Sequence, residues 1–452
     1  MSEVIPPCLT PTNKRERYGA GVHQLVRKQP LRRRFGKFWH QLGPGLTTGA
    51  ADDDPSGVAT YSQTGSQFGY QFLWLAPFTF PLMAVVQEMC ARIGLVTGSG
   101  LAANIRTQYP RAILYICTAL LFVANAFNIG ADLGAMAKAT QLLVPKIGFG
   151  ILIVGFALLS LLLQVFLSYA RYAKYLKGMA LVLLAYVVTA FTISGIDWGE
   201  VLRNTIVPNL HVSKVQILLV CAILGTTISP YLFFWQTSQE VEEEILQGAT
   251  TVAQRQRDVT PKGIRRMRTD VWVGMLFSNT VMFFIILTCG AVLHTAGVTN
   301  IQSAAQAAEA LRPLAGQSAF LLFAIGIVGV GLLAVPVLAG SAAYALAESF
   351  RWKEGLYRKL KNAWAFYGVL GAAMLVGFIL NFVGLDPIHA LIYAAIANGI
   401  VAPIVLYFVV SLSAKSSIMG EYANSRLVNI LGWVTTTAMA IVAVASIVVL
   451  FA

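Results

Sequence analysis

From about residue 42 to the C-terminus the chain alternates between long apolar runs and short polar stretches. The runs fall at 43–66, 71–96, 112–136, 148–169, 176–195, 215–240, 271–293, 318–347, 364–384, 389–411 and 428–451. An α-helix needs about 20 apolar residues to cross a hydrocarbon core ~30 Å thick. The pattern therefore predicts an all-α polytopic membrane protein with about eleven transmembrane helices. Residues 1–40 are polar and basic and read as a separate N-terminal arm, leaving 41–452 as one transmembrane domain.

Two of the runs carry helix breakers. In the first, Asp52-Asp53-Asp54-Pro55-Ser56-Gly57 interrupts an otherwise apolar segment. One Asp at a bilayer centre costs about 2.5–3.5 kcal/mol on an insertion scale, so three unrelieved ones would cost roughly 8–10. They persist only if they face protein or water and something there requires negative charge. From Gly43 a helix climbs roughly 16 Å to Asp54 at about 1.5 Å per residue, which places Asp54 and the break near the midplane. In the sixth run, Gly225-Thr226-Thr227-Ile228-Ser229-Pro230-Tyr231 falls at a matching depth, approached from the other side. Interrupted segments in corresponding positions of two halves point to an inverted repeat of five plus five helices, and to a mid-membrane binding site where the two breaks meet.

Composition narrows the class. The chain has 452 residues, 57% hydrophobic and 12% charged, with a net charge of +13. By the span assignment 28 of the 33 Lys and Arg lie on the side of the N-terminus and 5 on the other. That bias predicts a cell-membrane protein with a cytoplasmic N-terminus. The cluster Arg32, Arg33, Arg34 and Lys37 suits an arm held near anionic lipid, so the positive charge calls for no nucleic-acid partner. The arm has no apolar core of the signal-peptide kind. The five cysteines and five histidines show neither disulfide-framework nor metal-ligand spacing.

Several motifs together resemble the Nramp family of divalent-metal transporters. They are Gly43-Pro44-Gly45, Asp54-Pro55-Ser56-Gly57, the segment from Gln87 through Arg92 to Gly98, Ala131-Asp132-Leu133, Ser229-Pro230-Tyr231, Met419-Gly420-Glu421 and Asn429-Ile430-Leu431-Gly432-Trp433. The resemblance covers nearly everything after residue 42. It implies a LeuT-like fold with helices one and six broken at mid-membrane. It further implies a metal site of Asp54, the position of Gly57, the position of Ser229, and the carbonyls of Ala51 and Thr226. Asp53, Tyr231, Asp132 and Asn398 are expected in the vestibule or around the site. No cofactor is expected, the ion being substrate, and the partners expected are the metal ion and the lipid bilayer, with a monomeric chain.

The departures from the family pattern carry the finer expectation. Asp-Pro-Gly-Asn becomes Asp54-Pro55-Ser56-Gly57, so an Asn ligand is lost and space opens. Met-Pro-His becomes Ser229-Pro230-Tyr231, so the thioether is lost. The second acid of the third helix is Ala135, and the paired arginines of the ninth have no counterpart between Ala365 and Leu385. Sulfur favours soft and borderline metals, whereas oxygen suits Mg²⁺ and Mn²⁺. The chain thus resembles the divergent, magnesium-related branch of the family, importing a partly hydrated Mg²⁺, also Mn²⁺, without proton coupling. The alternative is the ordinary proton-coupled Mn²⁺/Fe²⁺ symporter.

Two more distant readings fit less well. In a Na⁺-coupled organic solute carrier Asp54 would repel a substrate carboxylate. An intramembrane aspartyl protease would need Asp54 and Asp132 to share a proton, in a Gly-x-Gly-Asp context that is absent. Asp52, Asp53 and Asp54 point about 100° apart in succession on a helix, so not all three can face one ion, and Asp52 and Asp53 are expected to line the inward vestibule or bind backbone N–H groups. Glu240, Glu242, Glu243 and Glu244 are expected either to pair with the basic residues Arg255 to Arg268 or to form a cation-attracting mouth.

Overall fold

The computed structural model describes residues 43–166, 181–209 and 213–451. The arm at 1–40 lies outside the described residues, as do Arg171, Lys174 and Lys177 between the fourth and fifth apolar runs. Where described, every apolar run is helical, and no strand occurs among the described residues. The first run is split into α1 (Pro44–Asp52) and α2 (Pro55–Phe68). There follow α3 (Leu75–Thr97), α4 (Arg111–Gln141), α5 (Phe149–Phe166) and the shorter α6 (Leu181–Thr192). The sixth run is split into α7 (Lys214–Thr227) and α8 (Pro230–Leu246). The chain continues with α9 (Pro261–Cys289), α10 (Ala319–Phe350), α11 (Trp364–Leu380), α12 (Pro387–Ala414) and α13 (Arg426–Phe451). The long run at 318–347 is one uninterrupted helix despite Pro336 inside it.

Both breaks follow from local chemistry. Pro55 has no N–H to continue α1 and its ring excludes the α conformation before it. Asp53 leaves the helix with ψ 52°, and Asp54 is extended, with φ −65° and ψ 170°. The Asp54 carboxylate then caps α2, accepting the Gly57 N–H at 2.7 Å and the Ser56 hydroxyl at 2.7 Å. In the sixth run Ile228 (φ −120°, ψ 60°) and Ser229 (φ −80°, ψ 132°) make the same excursion before Pro230.

The half-helices are held by neighbours that approach backbone to backbone. α1 packs on α9, where a Cβ on Gly49 would lie 2.2 Å from the Gly274 carbonyl oxygen. α7 packs on α12, where a Cβ on Gly225 would lie 2.1 Å from the Ala395 carbonyl oxygen. Only glycine permits these contacts, the usual means of close helix association in lipid. α1 also packs on α8, and α2 on α7, so the two breaks face each other. α4, α10 and α12 enclose them. α5 and α13 lie at the periphery and expose apolar side chains such as Ile151, Leu162, Ile441 and Val448, as a lipid-facing helix should.

Candidate metal site

Asp54 is fully buried at the start of α2. Its Oδ1 is held by the capping bonds from Ser56 and Gly57, with the Thr226 hydroxyl of α7 at 3.5 Å. Its Oδ2 accepts from the amide of Asn128 on α4 at 2.9 Å. The same Asn128 nitrogen donates to Asp132 Oδ2 at 3.0 Å, one turn along α4. The Asn128 carbonyl oxygen accepts from Asn398 of α12 at 3.0 Å. Four helices thus meet through one chain of hydrogen bonds, Asn398 to Asn128 to Asp54 and Asp132, with Thr226 completing it.

Asn128 is the residue that sequence reasoning missed. It spends both amide protons on two carboxylates and its oxygen on a third side chain, which fixes its orientation. Its signal was present: Asn125, Asn128 and Asp132 recur at helical spacing on one face of an otherwise apolar helix, and intramembrane polar residues mark pathways and sites. Asn125 donates to the Leu338 carbonyl at 2.9 Å and to Ser341 at 2.7 Å, tying that face to α10.

The remaining expected residues gather at the breaks with their groups turned to one another. The Ser229 hydroxyl points back along α7, 2.8 Å from both the Gly225 and Thr226 carbonyl oxygens. The Tyr231 hydroxyl donates to the Ala51 carbonyl at 3.2 Å. Each carbonyl keeps a second lone pair. Beside Gly57 the space is taken up: a Cβ there would stand 2.9 Å from Thr226 Oγ1 and 3.4 Å from the Tyr61 ring. Asp52 and Asp53 turn to α9, where both carboxylates meet the Ser278 hydroxyl, at 2.5 and 3.1 Å. They bind that hydroxyl rather than backbone N–H groups.

The electrostatics are one-sided. Asp52, Asp53, Asp54 and Asp132 are all fully buried, and no Lys, Arg or His forms an ion pair with any of them among the described residues. Asp52 Oδ1, Asp53 Oδ2 and Asp132 Oδ1 accept no hydrogen bond. Removing a carboxylate from water costs several kcal/mol unless charge or donors compensate. The described residues gather no group of three or more His, Cys, Asp or Glu at metal-binding distance. A cation here would be met by one or two carboxylates and neutral oxygens, a donor set that suits a hard ion retaining part of its water.

Hydrogen bonds hold the far ends of both α1 and α2. Toward the N-terminus, the Asp270 carboxylate of α9 accepts the Gly45 and Leu46 N–H groups of α1 at 2.7 and 3.2 Å. Thr48 donates to Gln236 of α8 at 2.5 Å, and Gln236 donates to Glu240 at 2.8 Å. At the other end of α2, Gln63 exchanges bonds with the Thr299 carbonyl (3.1 Å) and the Ile301 N–H (2.9 Å), while Ser66 donates to the Val298 carbonyl.

The expected pairing of the α8 acids with the basic stretch takes another form. Arg268 clamps Glu88 of α3 at 2.8 Å, and Arg255 donates to the carbonyls of Gly98, Ala249 and Thr250. Glu242 is bound by the Tyr344 hydroxyl and the Leu356 N–H. Arg268 and Arg255 thus spend their hydrogen bonds on Glu88 and on carbonyls, while Arg255 still acts electrostatically on Glu244 of α8.

A family model described as Nramp, natural resistance-associated macrophage protein-like, matches residues 45–449. Among solved structures, the manganese transporter of Eremococcus coleocola in complex with an aromatic bis-isothiourea substituted compound superposes with a TM-score of 0.69 at 18% identity, over 93% of this chain and 88% of that one. A mutant of that transporter gives 0.70 at 18%, over 94% and 89%. Mhp1, a nucleobase-cation-symport-1 family transporter in a closed conformation with bromovinylhydantoin bound, gives 0.53 at 15%, over 90% and 91%. At these identities the superpositions establish the shared fold.

The Asn128 hub generates a prediction. Asn128→Leu leaves two buried carboxylates without their common donor, each such loss costing about 1–3 kcal/mol. The melting temperature of the purified protein should fall, and adding Asp132→Leu, which removes one orphaned group, should restore part of it. Additive losses in the double variant would show that Asn128 and Asp132 are not coupled.

Proposed function

The chain belongs to the Nramp family, and from that premise we propose that it imports a hard divalent cation, Mg²⁺ and also Mn²⁺, through the site between the two helix breaks, without proton coupling. The family is one of transporters, so the activity is carriage rather than catalysis. The observation that carries the reading is the Asp54–Asn128–Asp132 arrangement: two fully buried carboxylates, bridged by one neutral amide, with no protein cation paired to them among the described residues.

The donors there are oxygens. Asp54 supplies the charge. Thr226, Ser229 and the carbonyls of Ala51 and Thr226 supply neutral oxygen, while Gly57 supplies no side-chain ligand, which leaves the ion more of its own water. Asp132, Asn128 and Asn398 stand around the ion and bind its water. Without a thioether at Ser229 nothing rewards a soft ion, and Mg²⁺ can keep several waters. Passage requires the two ties to open in turn: the Gln63 and Ser66 bonds on the outer side, then the Asp270 and Thr48 bonds that hold α1 on the cytosolic side.

The driving force is electrical. A membrane potential is worth about 2.3 kcal/mol per charge per 100 mV, and a divalent ion gains about twice that. A proton relay would need titratable groups leading inward from the site. Tyr231 stands where the family has His, and tyrosine, with an ordinary pKa near 10, keeps its proton at neutral pH and spends it on the Ala51 carbonyl. Ala135 replaces the second acid. The 1–40 arm rests on the cytosolic lipid surface in this reading, and the chain acts as a monomer in the cell membrane with its N-terminus inside.

Two outcomes follow. Proteoliposomes holding a pH-sensitive dye should take up Mg²⁺ and Mn²⁺ in response to an inside-negative potential with no acidification beyond protein-free controls; metal-dependent acidification would return the chain to proton symport. Ser229→Met should lower Mg²⁺ uptake and raise Cd²⁺ uptake, moving their ratio by about tenfold, the order expected from about 1.4 kcal/mol of sulfur preference. An unchanged ratio would remove the argument from ligand identity.

A further inference from the structure

The geometry points to a lipid-binding surface outside the metal path: the helix Trp198–Ile206 lies along the membrane–water boundary, with its Trp198, Leu202 and Ile206 face sunk between lipid headgroups and acyl chains. The inference depends on the chain spanning a bilayer and not on which ion it carries.

The sequence builds a two-sided helix. Trp198, Leu202 and Ile206 recur at every fourth position, so they lie within about 80° of one another. Glu200, Arg203 and Asn204 occupy the other side. Asp197 sets the start, its carboxylate accepting the Gly199 and Glu200 N–H groups at 2.8 and 3.2 Å. Val201 is the one residue of the helix that is buried. Trp198, Leu202 and Ile206 are 45, 60 and 60% exposed, and Val207 extends the patch. A helix standing in water would turn charge outward there, not Leu and Ile. One charged face and one large apolar face, on a helix of low overall hydrophobicity, suit the plane of a membrane interface.

The occupant is identified by what the patch adjoins. α6 ends at Thr192, and the chain turns at Gly195, which has φ 91°. The Trp198 ring then stacks on Phe191 of α6, with centroids 5.5 Å apart and planes 19° from parallel. Phe191 lies in the last turn of an apolar helix of the membrane domain and is exposed, as is Val188 one turn before it. Its inner neighbour is Phe284 of α9, at 5.9 Å. The apolar face of the Trp198–Ile206 helix therefore continues the lipid-facing surface of α6. Trp198 stands at the edge of that surface, the depth at which tryptophan concentrates. Arg203 borders the apolar side, so its stem can follow the boundary while its guanidinium reaches lipid phosphate.

The position gives the contact a role. The chain runs from this helix into α7, the half-helix that ends at the second break. The Asn209 carbonyl accepts from Gln71, just past the end of α2, at 3.0 Å. Lipid bound to the Trp198–Ile206 helix thus holds the lead into α7 at the boundary and, through Gln71, the far end of α2.

The test uses the full chain in proteoliposomes, with Cys8→Ser, the other four cysteines being buried. A nitroxide is attached singly at Leu202→Cys, Ile206→Cys, Glu200→Cys and, as a lipid-facing reference on α13, Ile441→Cys. Electron paramagnetic resonance compares collision with oxygen, which enters lipid, and with a water-soluble nickel chelate. The nickel-to-oxygen ratio at Leu202 and Ile206 should be roughly fivefold below that at Glu200, as for a helix half sunk in the interface, and shifted toward that at Ile441. Equal ratios at Leu202, Ile206 and Glu200 would put the helix in water and overturn the inference. Exclusion of both reagents, with dipolar broadening between chains, would give the face to a second copy and overturn it as well. Leu202→Ser with Ile206→Ser, labelled at Val207→Cys, should raise the ratio at that label several-fold; an unchanged ratio would show that α6 alone sets the depth and that the helix face binds no lipid. None of these outcomes bears on the metal site.

Discussion

The structure depends on a concentration of negative charge kept away from water. Four carboxylates, Asp52, Asp53, Asp54 and Asp132, are fully buried about two helix breaks, and among the described residues none is offset by a protein cation. The breaks themselves bring no net relief. Each places a helix N-terminus, worth about +0.5 charge, next to a helix C-terminus, worth about −0.5. The relief is local: the capping bonds from Ser56 and Gly57, the two protons of Asn128 and the single proton of Ser278. These leave acceptor positions open on three of the four carboxylates. A protein that needed only stability would replace such groups with apolar ones, since buried charge is a weak source of stability. Keeping them makes sense where a mobile cation is the missing partner.

The rest of the fold follows from holding that charge in place while letting it be reached. Backbone-to-backbone contacts at Gly49 and Gly225 seat the half-helices against α9 and α12 without side chains between them. Proline at Pro55 and Pro230 supplies a fixed interruption rather than a flexible one. The ties at the two ends differ in kind. Asp270 holds α1 through backbone N–H groups, whereas Gln63 and Ser66 hold α2 largely through loop carbonyls. Each is a handful of hydrogen bonds, each worth about 0.5–1.5 kcal/mol net, or up to about 3 with a charged acceptor.

Much of this was legible in the sequence. Span length set the helices, and breakers in matching places set the two interruptions, because hydrophobic thickness and proline chemistry act locally. Asp54 was legible for the same reason. What escaped was whatever depends on a partner far along the chain. Asn128 matters only because α4 passes beside Asp54, and Ser278 only because α9 passes beside Asp52. The helical 100° rule misjudged Asp52 and Asp53, since the helix ends between them and the rule lapses there. The α8 acids were expected near arginines by sequence distance, but Arg268 meets Glu88 and Glu242 meets Tyr344. The space beside Gly57 was expected to be open because the family's Asn is missing there; Thr226 from α7 and Tyr61 one turn along α2 fill it.

The central claim is that Asp54 is a buried charge whose intended partner is a divalent cation, and thermal unfolding of the purified chain reads it directly. Without metal, Asp54→Ala should melt close to wild type, because losing a buried charge that has no cation offsets losing the α2 cap and the Asn128 bond. Adding Mg²⁺ should raise the melting temperature of wild type, by the equivalent of about 2.7 kcal/mol at a hundredfold excess over the dissociation constant, and raise that of Asp54→Ala far less. An equal Mg²⁺ shift in both proteins would contradict the account.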